Sequence, residues 1–317
     1  MESPKRLDKN TSEVIICTRN RPIEFAKLIN SIKSQSDKSI SRLIIIDSSL
    51  DTKTEIATND LSKDASFVVD YIRVSQNMQL TTKRNIGLEK ASHDADFIHF
   101  FDDDVILDEN YLESINKAFE DLTIVGVTGK DTNRSPQKNS AIKFKLGMGS
   151  PTEGVILRNG LNTLVTSATE PRFVEWLSGC AMSYRAKVIK NLRFDTRRTF
   201  DGEDTDFSYR TSFFGKLLWT PKAQYTHRTS KENFANNNHT LSAYLTHMAL
   251  ATLEFNGKVS FLCAWMGIFV LGLFIFGYGV RRRKLDGALQ GLRYIGGAVL
   301  FPGIVIFWKI QNVSNDR

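Results

Sequence analysis

The stretch Phe97 to Leu107, FIHFFDDDVIL, carries five mostly apolar residues straight into three consecutive carboxylates and then back into apolar sequence. Three like charges so close repel one another. Burying even one without a partner costs several kcal/mol, comparable to a domain's whole margin of about 5–15 kcal/mol. A divalent cation removes that cost. Asp102 and Asp104, at i and i+2 off a strand end, offer hard oxygen ligands on one face, which suits Mg²⁺ or Mn²⁺ holding a diphosphate at the carboxyl edge of an open α/β sheet. The competing reading is a solvated acidic turn followed by a helix at Glu109 with Asp108 as its N-cap, but such a turn does not require FIHFF in front of it.

A second acidic run, GEDTD at Gly202 to Asp206, stands where a helix pattern begins. Taken alone, Glu203, Asp204 and Asp206 read as complements of the helix dipole, worth about 0.3–1 kcal/mol each. A carboxylate fixed at a helix N-terminus also meets the demand of a general base, which must lie within about 2.6–3.2 Å of the attacking oxygen. Two basic stretches, CTRNRP at Cys17 to Pro22 and TTKRN at Thr81 to Asn85, are either solvated turn and helix faces or contacts to an anion.

The elements that must hold these residues follow from apolar periodicity. Val14 to Cys17, Leu43 to Asp47, Phe67 to Arg73, Phe97 to Phe101 and Ile124 to Gly129 read as strands, apolar throughout as parallel strands covered on both faces are. Between them Ile23 to Ser34, after Pro22, and Thr81 to Ala91 and Glu109 to Phe119 read as helices. The alternation predicts an α/β fold with a doubly wound, mostly parallel sheet. From Asp131 to Arg172 the pattern fails, which predicts a functional loop region. Phe173 to Trp176 restores regularity, followed by a helix near Ala186 to Asn191 and another from Asp204 to Phe214, stopped by Gly215.

Composition narrows the class. Apolar residues make up 41% and charged residues 24% of the 317 residues, as in a folded protein, and the net charge of +7 is spread too thinly to imply nucleic acid. Cys17, Cys180 and Cys263 form no CxxC pair, which reads as free thiols in a reducing compartment. The N-terminal MESPKRLDKNTSE lacks the apolar core of a secretory signal, so none is expected. Thr240 to Phe255 has one apolar helical face, and Val259 to Val280 runs 22 residues without a charge. At about 1.5 Å per residue that is roughly 33 Å, enough to cross a bilayer. Tyr294 to Trp308 is a second uncharged run, shorter and interrupted by Pro302. The expected division is 1–235 as the globular domain, 236–258 as an amphipathic connection and 259–317 as membrane-associated helices.

Taken together, VIICTRNRP, LIIIDSSLD, TTKRNIGLEKASHDADFIHFFDDDVIL, EWLSGCAMSYRAKVI and DGEDTDFSYR resemble, in order and spacing across roughly Ser12 to Arg228, the family 2 inverting glycosyltransferases of the GT-A fold. The resemblance implies transfer of a sugar from a nucleoside diphosphate sugar, with inversion at the anomeric carbon and a divalent metal (Mn²⁺ or Mg²⁺) assisting departure of the nucleotide. It places Thr18, Arg19 and Arg21 where the first strand opens onto the nucleotide, and Asp47 where an acid reads the base or ribose. Ser48 stands where the family usually has a second acid. Lys83, Arg84 and Asn85 match the helix start that approaches the diphosphate, and Asp102 and Asp103 the donor-side acids. Asp104 and His227 join Asp102 on the metal, although His227 in QYTHR equally suits a structural role. Asp204 is the implied base with Glu203 beside it, and Trp176 and Gly179 the implied acceptor wall. No QxxRW follows the GED run, so the processive synthases match poorly and a single transfer per encounter is implied.

Three alternatives stay open at this level. A sugar-1-phosphate nucleotidyltransferase would open with a Gly-rich loop where this chain has CTRNRP; a polyprenyl-phosphate glycosyltransferase would yield a lipid-extractable product; an inactive membrane scaffold would have lost its site carboxylates. The resemblance further implies a glycan or lipid-linked acceptor in cell-surface glycan or lipid-linked oligosaccharide synthesis. For localisation, donor chemistry and free thiols place the catalytic domain on the cytoplasmic side of a membrane. If both apolar runs cross, Arg281 to Lys284 lands on the opposite side, against the positive-inside rule. The expectation is therefore that one segment, the Pro302 run, is re-entrant or interfacial, with the basic cluster on anionic headgroups or an acceptor phosphate.

Overall fold

A computed structural model describes residues 10–63, 65–92, 94–135, 149–199, 202–228 and 237–315. The expected apolar runs form β1 (Ser12–Thr18), β2 (Ile40–Asp47), β3 (Val68–Arg73) and β4 (Phe97–Asp102), paired in parallel in the order β3-β2-β1-β4. Alternate side chains of these strands serve two cores, as the two-residue period requires. Val14, Ile16, Leu43 and Ile45 pack with Phe25 and Leu28 of α1 (Pro22–Lys33) and with Leu112 and Ile115 of α4 (Tyr111–Ala118). Ile15, Ile44 and Ile46 face the other way, toward α3 (Leu80–Lys90). Gly87 sets how closely α3 approaches, since a Cβ there would lie 2.4 Å from the Ile15 side chain. The connection between β2 and β3 is α2 (Lys53–Ser62).

Two features of the sheet carry no mark in the sequence. The acidic run splits its strand: β4 ends on Asp102, and β5 (Val105–Leu107) starts beyond a turn holding Asp103 and Asp104. The strand β6 (Ile124–Asp131) does not adjoin β4, because β8 (Ala181–Arg185) inserts between them, antiparallel to both. The long β9 (Lys216–His227) runs parallel to β6, with β7 (Arg172–Val174) antiparallel along its start and β5 antiparallel along its end. The sheet is thus mixed, with a parallel half that carries the early part of the chain. α4 begins at Tyr111 with Asn110 at its N-cap, so Asp108 does not cap it. After α5 (Ala186–Ile189), α6 (Glu203–Thr211) ends in a 3₁₀ turn at Ser212–Phe214 before Gly215. Of the irregular stretch Asp131 to Arg172, residues 136–148 lie outside the described residues; 149–171 are turns with one bridge, Ile156 to Asn162.

Three helices follow: α7 (Asn237–Glu254), α8 (Phe261–Arg281) and α9 (Leu285–Asn315). The expected boundary at 235/236 lies outside the described residues. α8 and α9 form an antiparallel hairpin whose backbones meet at glycines; a Cβ on Gly279 would lie 2.3 Å from the Ala288 nitrogen. α9 lies along α7, with Tyr294 against Tyr244 and Asn312 reaching Glu254. Pro302 does not interrupt α9, contrary to the sequence expectation. Proline deprives the carbonyl four residues earlier of its partner, and here Trp265 of α8 donates its indole N–H to that Ala298 carbonyl at 3.0 Å. The inner side of the hairpin joins a core with Ile156, Trp176, Met248 and Phe255. Its outer side leaves large apolar residues exposed along both helices, among them Phe261, Met266, Phe274, Leu289, Leu300 and Ile310.

Candidate active site

Strand ends gather the chemistry. In the parallel pair β1 and β4, Cys17 lies opposite Asp102, so Thr18 and the acidic turn share one edge of the sheet. β9 delivers His227 to the same edge, where it pairs with Val105 across the β5 ladder. Each carboxylate of the turn meets a cation. Asp103 accepts hydrogen bonds from Thr18 Oγ1 at 2.8 Å and Arg21 Nη1 at 2.9 Å. Asp104 accepts from the same Arg21 nitrogen at 2.9 Å and lies 3.0 Å from His227 Nε2. Asp102 meets Arg84 Nη2 at 3.2 Å.

Burial and this pairing pull in opposite directions on Asp102, Asp103 and His227. Burial pushes the Asp103 carboxyl up to about 6 against the pull of Arg21 and the Thr18 hydroxyl, and raises Asp102 against that of Arg84. For His227, burial alone would lower the pKa. Its contacts with Asp104 and Cys180 outweigh burial, holding the imidazole up at about 11 and therefore protonated. One ligand atom from each of Asp102, Asp104 and His227 lies within 4.8 Å of the others. The two carboxylates are the hard oxygen donors that Mn²⁺ and Mg²⁺ take, and the His227 imidazole would join them only on releasing its proton.

Arg84, which the resemblance places near the diphosphate, packs against protein groups on all sides. It is 2% exposed and, besides Asp102, its guanidinium donates to Glu203 Oε1 at 3.1 Å and to the Gly179 carbonyl at 2.9 Å, lying over the Phe194 ring. It therefore ties the acidic turn to the GED run. Burial would lower its pKa, but Asp102 and Glu203 hold it above the ordinary guanidinium value. Asp204, half-buried, accepts the Gly179 N–H at 2.9 Å and its own helix's Thr205 N–H at 2.7 Å. Gly179 is confined there: a Cβ would sit 3.1 Å from Asp204 Oδ2 and 3.3 Å from Arg84 Nη2.

The other expected residues, Arg19 apart, are held by protein groups. Asp47 is fully buried, its oxygens accepting from the Ser49 N–H at 2.7 Å and the Tyr71 hydroxyl at 2.6 Å. Lys83 is buried between the Thr18 carbonyl at 3.3 Å and Ser48 Oγ at 3.1 Å. Asn85 exchanges two hydrogen bonds with the backbone of Phe194. Arg19 is exposed beside Thr18. Trp176 is buried, donating to the Thr163 carbonyl at 3.0 Å, and belongs to the core shared with α7. Cys180, read from sequence only as a free thiol, touches Tyr225 and Ser178 from the turn before β8, and Tyr71, on β3, was not singled out. Neither carries a spacing signal.

An open sheet edge with acids at two facing elements is the arrangement of nucleotide-dependent transferases with a GT-A fold. The pattern of the family described as Glycosyl transferase family 2 matches residues 13–192, and the chain belongs to that family. A curated relative, Glycosyltransferase GlyA of Streptococcus pneumoniae serotype 4, is 24% identical over 219 residues, covering 69% of this chain; the chain spans only 30% of that relative's length. Among solved structures, Mannosyltransferase PcManGT from Pyrobaculum calidifontis, in complex with GDP-Man and Mn²⁺, is 12% identical with a TM-score of 0.57, covering 94% of this chain and 89% of that one. The crystal structure of S. aureus TarS gives 15% and 0.53, covering 92% of this chain and 49% of that one. At such identities these likenesses establish the fold.

Proposed function

We propose that the chain is an inverting, metal-assisted glycosyltransferase that moves one sugar from a nucleoside diphosphate sugar to an acceptor hydroxyl at a membrane. The observation that carries this reading is Arg84, which fixes the Asp102 side of the acidic turn and the GED run to one another across Gly179. Donor-side and acceptor-side acids thereby face a common space. On this reading Asp204 takes the proton of the acceptor hydroxyl as its oxygen bonds to the anomeric carbon, and the bond to the diphosphate breaks on the opposite face. Inversion follows from a single displacement. Thr18, Arg21 and Asp103 line the donor side, with Lys83 behind them. Asp102, Asp104 and His227 would hold the cation. When bound, it would stabilise negative charge developing on the departing diphosphate.

The hydroxyl acceptor is favoured over a polyprenyl phosphate by Asp204, since a phosphate needs no base to attack. The two C-terminal helices are long and apolar enough to cross a membrane, and their exposed outer face supports placing the hairpin in a bilayer, where a patch of this size is covered. The catalytic domain then lies on the side of its nucleotide sugar donor, the cytoplasmic side; because two full crossings would leave the Arg281 to Lys284 turn on the far side against the positive-inside rule, the hairpin is read as re-entrant or interfacial, with that turn on anionic headgroups. A glycan or lipid-linked acceptor fits that placement. A donor screen following nucleoside diphosphate release, with and without Mn²⁺, tests the reading. Release that depends on one donor and on metal, and that falls about 10²-fold in Asp204→Asn with donor affinity kept, is the expected result. Transfer by Asp204→Asn at the native rate would move the base elsewhere.

A further inference from the structure

Among the described residues Arg198 is the largest side chain that is completely buried, at 0% exposure, and the chemistry above does not use it. Its Nη2 donates to Glu254 Oε2 at 2.8 Å and lies 3.4 Å from Asp206 Oδ1. Its Nη1 lies 2.9 Å from His247 Nδ1 and donates to the His247 carbonyl at 3.2 Å. Glu254 and His247 belong to α7, whereas Asp206 stands two residues beyond Asp204 in the first turn of α6. A second contact joins the same two helices. Gly202, at φ 77°, presses its Cα side against the imidazole so closely that a Cβ would sit 1.9 Å from His247 Nδ1.

A buried ion cluster of this kind is a poor source of stability, because desolvating the charges offsets their attraction and apolar side chains of similar volume often serve as well. What a guanidinium does supply is a planar fork with fixed directions, which locks its acceptors relative to one another. Here the hydrogen-bonded partners are on α7, and Asp206 in the first turn of the GED helix is the ion-pair partner facing the same fork. We propose that Arg198 is a positioning residue that fixes the Asp204 carboxylate to α7, with His247 as the stop behind Gly202. This rests on the reading of Asp204 as the general base. Arg197 extends the joint: it donates to Asn312 at 2.6 Å and to the other oxygen of Glu254 at 2.6 Å, so the end of α9 bears on the same carboxylate. Acceptor activation is thereby tied to the seating of the C-terminal helices, while the donor side, held by Thr18, Arg21 and Asp103, is not.

The test uses the full chain in detergent or lipid nanodiscs, with Arg198→Lys, Glu254→Gln and Asp204→Asn. Arg198→Lys keeps the charge and loses the fork; Glu254→Gln keeps the shape should the first variant fail to fold. Both are expected to lower kcat by 10-fold or more while the nucleoside diphosphate Kd stays within twofold. Combined with Asp206→Asn, Glu254→Gln should cost less than the product of the two single effects. A folded Glu254→Gln protein with kcat within twofold of the parent, where Asp204→Asn is inactive, overturns the positioning role and leaves the base in place. Native transfer by Asp204→Asn removes the base and this proposal together.

Discussion

Replacing Arg84 by methionine separates two accounts of the most buried cation at the site. In the structure Arg84 serves Asp102, Glu203 and the Gly179 carbonyl at 2.9–3.2 Å while only 2% exposed. Removing one member of a buried pair costs about 3–5 kcal/mol, since the remaining charge keeps its desolvation penalty. In a protein of this size each kcal/mol lowers Tm by about 2–4 °C, so Arg84→Met is expected to melt on the order of 10 °C lower. It should also lose about 10²-fold in transfer, the scale of a misplaced catalytic group. Glu203→Gln should reproduce a large part of the Tm loss. Donor affinity, measured by calorimetry with the nucleoside diphosphate, should fall less than transfer does. If Arg84 instead worked by holding the diphosphate, the methionine variant would keep its Tm within about 2 °C and lose donor affinity 10-fold or more. That result would refute the bridging role.

Asp102→Ala and Asp104→Ala should each abolish turnover and remove the metal dependence of donor binding while the protein stays folded; full activity of either in EDTA would sink the metal assignment. Stability should fall in acid through His99, which is fully buried with Nδ1 on Ser183 Oγ at 2.8 Å and its pKa pulled by burial from 6.5 to about 4. The unfolded chain binds the extra proton first, so the contribution is complete above about pH 6.5 and is lost as pH falls toward 4, on the order of 3 kcal/mol in all. Denaturant titrations of His99→Gln should show a flatter slope across that window, and an unchanged slope would remove the assignment. Trp265→Phe should destabilise the hairpin by about 1 kcal/mol by stranding the Ala298 carbonyl, and much less in a Pro302→Ala background, where the helix supplies its own donor. Equal losses in both backgrounds would mean the indole bond is incidental.

Much of the parallel half of the sheet was legible because its strands are apolar on both faces, as VIIC and LIIID are, and because Pro22 opens a helix where the pattern starts. The acid turn was legible for an energetic reason: carboxylates at a buried strand end demand partners. The targets of the long basic side chains were not. Sequence supplies the charge of Arg84 but not its direction, which depends on Gly179 and Glu203 arriving from about a hundred residues away. Pro302 misled for a related reason, since a proline reads as a break unless the partner of the stranded carbonyl is known, and Trp265 lies in another helix. The position of β8 was hidden too, because AMSYR carries no mark of which strands it will separate.

The insertion of β8 has a bearing on how the chain is made. Until residues 181–185 are available, β4 has a parallel neighbour on one side and an open apolar edge on the other. At translation rates of about 5–20 residues per second, the roughly 80 residues between the end of β4 and the end of β8 expose that edge for on the order of 4–17 s during synthesis. Unpaired edges of this kind template association with other chains. Fragments that stop short of β8 are therefore expected to aggregate, and the nascent chain to need shielding over the same interval. The residues proposed to hold a cation come together later still, when His227 closes the end of β9, so on that proposal a cation cannot template the early part of the sheet.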